Sequence, residues 1–63
     1  MTDVMESNNV QIQLQQRVSK NWTTMRSVVN QPILITQAME ELKRRFPDQM
    51  VRAILDGQLI QIM

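Results

Sequence analysis

From Val10 the chain alternates strictly, with Val10, Ile12 and Leu14 on one side and Gln11, Gln13 and Gln15 on the other. A period of two marks a strand with one buried face. A helix is the rival reading, because Leu14, Val18, Trp22, Met25 and Val29 recur at helical spacing. The strand is preferred: Ile12 belongs to the alternating face but not to the helical stripe, and Trp22-Thr23-Thr24 and Val28-Val29 are β-favouring types. Ser19-Lys20-Asn21 reads as a turn with Asn21 left-handed, and Trp22 to Val29 as the returning strand. A two-residue loop between Ser19 and Trp22 pairs Val18 with Thr23, Gln16 with Met25, Leu14 with Ser27 and Ile12 with Val29. The opposite face then holds Gln13, Gln15, Arg17, Trp22, Thr24, Arg26 and Val28.

Asn30-Gln31-Pro32 breaks this strand and opens a helix, since proline in the first helical turn gives up an N–H that has no partner there. Ile35, Ala38, Met39, Leu42 and Phe46 follow at helical spacing, with Gln37, Glu40, Glu41, Lys43 and Arg44 turned to water. Glu40 is placed to reach Arg44 four residues on, and the basic run Lys43-Arg44-Arg45 suits the negative end of the helix dipole. Pro47 ends the helix. Asp56-Gly57 between Val-Arg-Ala-Ile-Leu and Gln-Leu-Ile-Gln-Ile is the strongest hairpin signal in the chain, because a type I′ turn needs φ > 0 at both central residues. Pairing Leu55 with Gln58 sets Ala53 against Ile60 and Val51 against Ile62, and leaves Met50, Arg52, Ile54, Leu59, Gln61 and Met63 on the other face. The predicted architecture is α+β: a small ββαββ domain whose four-stranded, mainly antiparallel sheet carries one helix on one face.

Sixty-three residues allow one domain, and a chain this short buries only about 60% of its unfolded surface, so oligomerisation is the available source of added stability. Cysteine and histidine are both absent, which removes disulfides, structural zinc of the Cys/His type and histidine-activated nucleophiles. Residues 1–9 lack sustained periodicity and end in Ser-Asn-Asn, so a flexible N-terminal tail is expected there and a single domain over residues 10–63. The start of the chain is acidic and leads into no signal-like apolar core, and apolar runs reach only three or four residues; a cytoplasmic location without membrane contact is expected. The net charge is +1, but residues 10–63 carry seven basic against four acidic side chains, a mild bias that permits nucleic-acid contact without demanding it.

Candidate chemistry is sparse. Glu40 and Glu41 are adjacent carboxylates, yet neighbours on a helix diverge by about 100° and do not converge on one substrate atom. No catalytic residue, metal ligand or cofactor-binding residue is assigned, and no cofactor is implied: the serines lack a histidine base, and the single Gly57 excludes a glycine-rich phosphate loop. An interface is the better reading. Trp22, Val28, Met50, Ile54, Leu59 and Met63 fall together on the face that the helix leaves open, a larger apolar patch than a small monomer normally shows. Gln11, Gln13, Gln15, Arg17 and Arg26, beside Trp22, are the candidates for nucleic-acid contact, although single-strand-binding sheets usually present two or three aromatics.

Gln11-Ile12-Gln13-Leu14-Gln15, followed by Ile35-Thr36-Gln37-Ala38-Met39-Glu40-Glu41-Leu42, resembles the strand and second helix of ribbon-helix-helix repressors. That resemblance covers residues 10–46 and implies a dimeric DNA-binding regulator in which Gln11, Gln13 and Gln15 read the major groove. It also requires a helix over Ser19 to Val29. The first expectation is instead a non-enzymatic protein-interaction module of bacterial or phage type, a homodimer able to take a protein partner, with nucleic acid less favoured.

Overall fold

The computed structural model describes residues 9–63. The element order is β1 (Asn9–Gln15), β2 (Trp22–Val29), α1 (Pro32–Arg45), β3 (Val51–Leu55) and β4 (Gln58–Ile62). All pairings are antiparallel, in the spatial order β2-β1-β3-β4. This is the predicted ββαββ sheet with one helix, and Ser19 to Val29 forms a loop and a strand where a ribbon-helix-helix chain needs a helix. The expected tail lies outside the described residues except for Asn9, which opens β1 opposite Val29.

Alternation explains why β1 is central. Val10, Ile12 and Leu14 are buried on one face, where they meet Ile35, Ala38, Met39 and Leu42 of α1 and Val51 and Ala53 of β3. These nine residues form the core, all apolar, with no buried polar side chain among the described residues. Val28, Phe46, Leu55 and Met63 pack around them. Pro32 begins the helix after Gln31, whose carbonyl accepts the first helical bond from Ile35 N–H at 3.0 Å. Phe46 closes it through its N–H to the Leu42 carbonyl at 2.8 Å, and Pro47 follows. Lys43, Arg44 and Arg45 occupy the last turn, where cations offset the exposed carbonyls. The expected Glu40–Arg44 pair is not formed. Among the described residues the ion pairs are Arg17–Asp48 at 3.5 Å and Arg26–Glu41 at 3.0 Å, each linking separate segments.

Both hairpins depart from the simple register at one place each. Asp56 (φ 51°) and Gly57 (φ 78°) make the predicted two-residue turn, and Leu55 faces Gln58 as expected. Beyond Ile54 opposite Leu59 the register shifts: Ile60 is the extra residue, so Ala53 faces Gln61 and Arg52 faces Ile62. The β1–β2 loop is longer than predicted. Gln16 and Asn21 bracket four residues, bonded by Gln16 N–H to the Asn21 carbonyl at 2.7 Å, and Lys20 (φ 67°), not Asn21, takes the left-handed conformation. Leu14 therefore pairs with Thr23, and Val18 sits at the loop tip, 95% exposed. A second shift leaves Met25 extra, after which Ile12 faces Arg26 and Val10 faces Val28.

A single inserted residue moves every following side chain to the other face. Val28 and Arg26, expected on the open face, consequently lie on the helix side, Val28 against the core and Arg26 on Glu41. Met63 makes the same change, because it pairs with Val51 through two backbone bonds of 3.1 and 2.7 Å and packs on the core. In exchange, Ser27, Val29 and Ile62 come to the open face.

Candidate interaction face

The face of the sheet opposite α1 has a polar half and an apolar half. Gln11, Gln13 and Gln15 run down its middle, flanked on β2 by Trp22, Thr24 and Ser27. Their amides are occupied by one another and by neighbours. Gln13 Nε2 donates to Thr24 Oγ1 at 3.0 Å and to Gln11 Oε1 at 3.3 Å, while Gln13 Oε1 accepts from Arg52 Nε at 2.7 Å. Arg52 continues across β1 to lay its guanidinium 4.1 Å from the centre of the Trp22 ring. Three strands are thus tied together on the solvent side by one cation–π stack and a chain of amides. Such a stack contributes about 0.5–1 kcal/mol at an exposed site.

The apolar half lies on β3 and β4. Ile54 and Leu59 face each other across the two strands, and Ile62 is the next open-face residue of β4, opposite Arg52. Leu59 is 54% and Ile62 48% exposed, and every residue of β4 is exposed. Of the six residues predicted for the interface, Ile54 and Leu59 are adjacent on this strip. Met50 lies farther along, its carbonyl bonded to Gln15 N–H at 2.9 Å, and Trp22 is at the far corner beneath Arg52. Val28 and Met63 belong to the covered face. Ile62 was missed by sequence reasoning because the extra Ile60 brings it to the open side.

The nucleic-acid candidates are divided likewise. Gln11, Gln13 and Gln15 share the open face, whereas Arg17 is in the β1–β2 loop beside Asp48 and Gln49, and Arg26 is on the helix side. Lys43 of the basic run donates to the Gln49 carbonyl at 2.8 Å, and Arg45 leans over the Phe46 ring at 5.8 Å. Glu40 is exposed on the outside of α1, and Glu41 is held by Arg26, so the two carboxylates do not converge. A shallow groove beneath the β1–β2 loop is lined by Leu14, Val18, Met25 and Phe46, with Gln16, Arg17, Ser19 and Gln49 as its polar lining. Arg17 is engaged with Gln49 and Asp48, Gln16 donates to Thr23 Oγ1 and Ser19 Oγ accepts from the Asn21 N–H, so the groove lacks the converging free polar groups of a ligand site. Among the described residues no cluster of acidic side chains is placed to hold a metal ion, and no helix is long and apolar enough to cross a membrane. Compared with protein-family models, curated proteins and solved structures, the chain matches none.

Proposed function

We propose that the protein is a non-enzymatic interaction module that works as a homodimer, with the Ile54, Leu59 and Ile62 strip at the centre of the contact. The observation that carries this reading is the strip itself: three contiguous aliphatic side chains on an uncovered part of a sheet whose other face already has its helix. Burying one such side chain fully stabilises by about 1.5–3 kcal/mol. A domain in which nine of the described residues are buried has much to gain from a second copy. A standard interface removes about 800 Å² per partner, under a fifth of the 4368 Å² this chain exposes.

A nucleic-acid ligand is the lesser reading. Only Trp22 offers an aromatic on the open face, one side of its ring is taken by Arg52, and Arg17 and Arg26 are drawn to carboxylates elsewhere. The test is a pair of substitutions followed by sedimentation. Ile54→Asp places a charge in the strip and should give a monomer, whereas Glu40→Ala on the outer face of α1 should leave the dimer intact. A dimer that survives Ile54→Asp refutes the assignment of the strip.

A further inference from the structure

We propose that the second copy joins at the open edge of β4, so that two four-stranded sheets continue into one sheet of eight strands. This rests on the homodimeric reading above and adds its geometry. Val51 and Met63 exchange both of their backbone bonds, at 3.1 and 2.7 Å. Antiparallel pairs alternate between bonded and non-bonded, so Ile62, one place earlier, turns its N–H and C=O away from β3. At the other end Leu55 and Gln58 bracket a two-residue turn and form its bonded pair, so Leu59 also turns its backbone groups outward. Among the described residues β4 is an edge strand, and it therefore offers unpaired backbone groups at Leu59 and Ile62, with Ile60 and Gln61 between them.

The spacing selects the partner. A regular strand presents outward groups at every second residue, whereas the extra Ile60 sets those of β4 three apart. A second β4, shifted at the same position, has the matching spacing. Antiparallel about a two-fold axis, it sets Leu59 opposite the partner's Ile62 and Ile62 opposite the partner's Leu59. Since Leu59 and Ile62 both lie on the open face, four aliphatic side chains meet there, flanked by Ile54 from each copy. The register shift that protects this edge from arbitrary strands leaves it open to its own copy.

Charge favours the edge over stacking two open faces. β4 reads Gln-Leu-Ile-Gln-Ile and contains no charge, so self-pairing sets no like charges opposite each other. Arg52 lies one strand inward, and edge pairing keeps the two copies of Arg52 three strand spacings apart, roughly 14 Å. That exceeds the Debye length of about 8 Å at physiological ionic strength. Stacked faces would instead bury Arg52 with Gln11 and Gln13 and strip them of water. The other edge, β2, carries Arg26 on the helix side and Trp22 under Arg52, and has no aliphatic row like that of β4.

Amide hydrogen exchange of the full chain, read residue by residue across a concentration series, tests this directly. The Leu59 and Ile62 amides point away from β3, so they exchange freely in a monomer and are protected only in the edge-paired dimer. The expected result is protection of both amides that rises with concentration, by about tenfold or more once the dimer predominates, and its disappearance in Leu59→Lys. A dimer whose Leu59 and Ile62 amides stay unprotected overturns the edge geometry and leaves the homodimer standing. A monomer throughout the series overturns both. Leu59→Lys that still dimerises with both amides protected also contradicts the proposal, and Ile62→Lys serves if the first variant fails to fold.

Discussion

The two faces of this sheet are built from the same three inner residue pairs of β1 yet do opposite work. Ile12 is fully buried against α1, while its neighbour Gln13 points to water and links Thr24, Gln11 and Arg52. The covered face is held by apolar burial, with no buried polar side chain among the described residues. The open face is held by amides and one guanidinium–indole stack over β2, β1 and β3, and that polar lattice stops at β4. Stability thus resides on one face. The aliphatic strip that begins where the lattice ends is exposed at Leu59 and Ile62.

Substitutions at paired positions should expose this difference. The largest effect is expected from Ile12→Ala, which opens a cavity in the centre of the core and should cost about 2–5 kcal/mol in chemical denaturation; a loss below about 1 kcal/mol would mean the core is not where stability resides. Gly57→Val comes next. A Cβ at Gly57 meets nothing within 4 Å, so the penalty is confined to a β-branched residue at φ 78°, about 1–3 kcal/mol. An unchanged melting temperature would argue against the left-handed turn. On the open face, a double-mutant cycle between Trp22→Ala and Arg52→Ala should return a coupling of about 0.5–1 kcal/mol. Zero coupling would mean that the stack contributes nothing to stability. The smallest effect belongs to Arg26→Ala, which breaks a half-exposed pair with Glu41 and should cost no more than about 1 kcal/mol.

The elements were legible because local and tertiary preferences agree. Alternation at Val10–Leu14, proline at the helix start, the Ile35 to Leu42 stripe and Asp56-Gly57 each admit one main structure, and each appears where expected. The faces of the two edge strands were half legible. Each edge strand carries one extra residue, Met25 and Ile60, and beyond it the assignment of faces reverses. Adjacent apolar residues do break the period of two, at Leu59-Ile60 and at Val28-Val29. Such a break does not say which residue is the extra one, because that depends on the fit to β1 and β3. The loop was misjudged for a related reason: Lys20 takes a left-handed conformation that Asn21 suits better by type. The assignment of faces was accordingly right at Ile54 and Leu59, which precede the shift, and reversed at Ile62, Val28 and Met63, which follow one.

The proposed dimer joins two copies of this chain through the aliphatic strip on β3 and β4. Sedimentation equilibrium of this chain from low micromolar to high micromolar concentration tests that contact. The expected mass rises to twice the 7.4 kDa of the chain and returns to the single-chain value in Leu59→Lys. A wild-type mass that stays at 7.4 kDa across the whole range would contradict it.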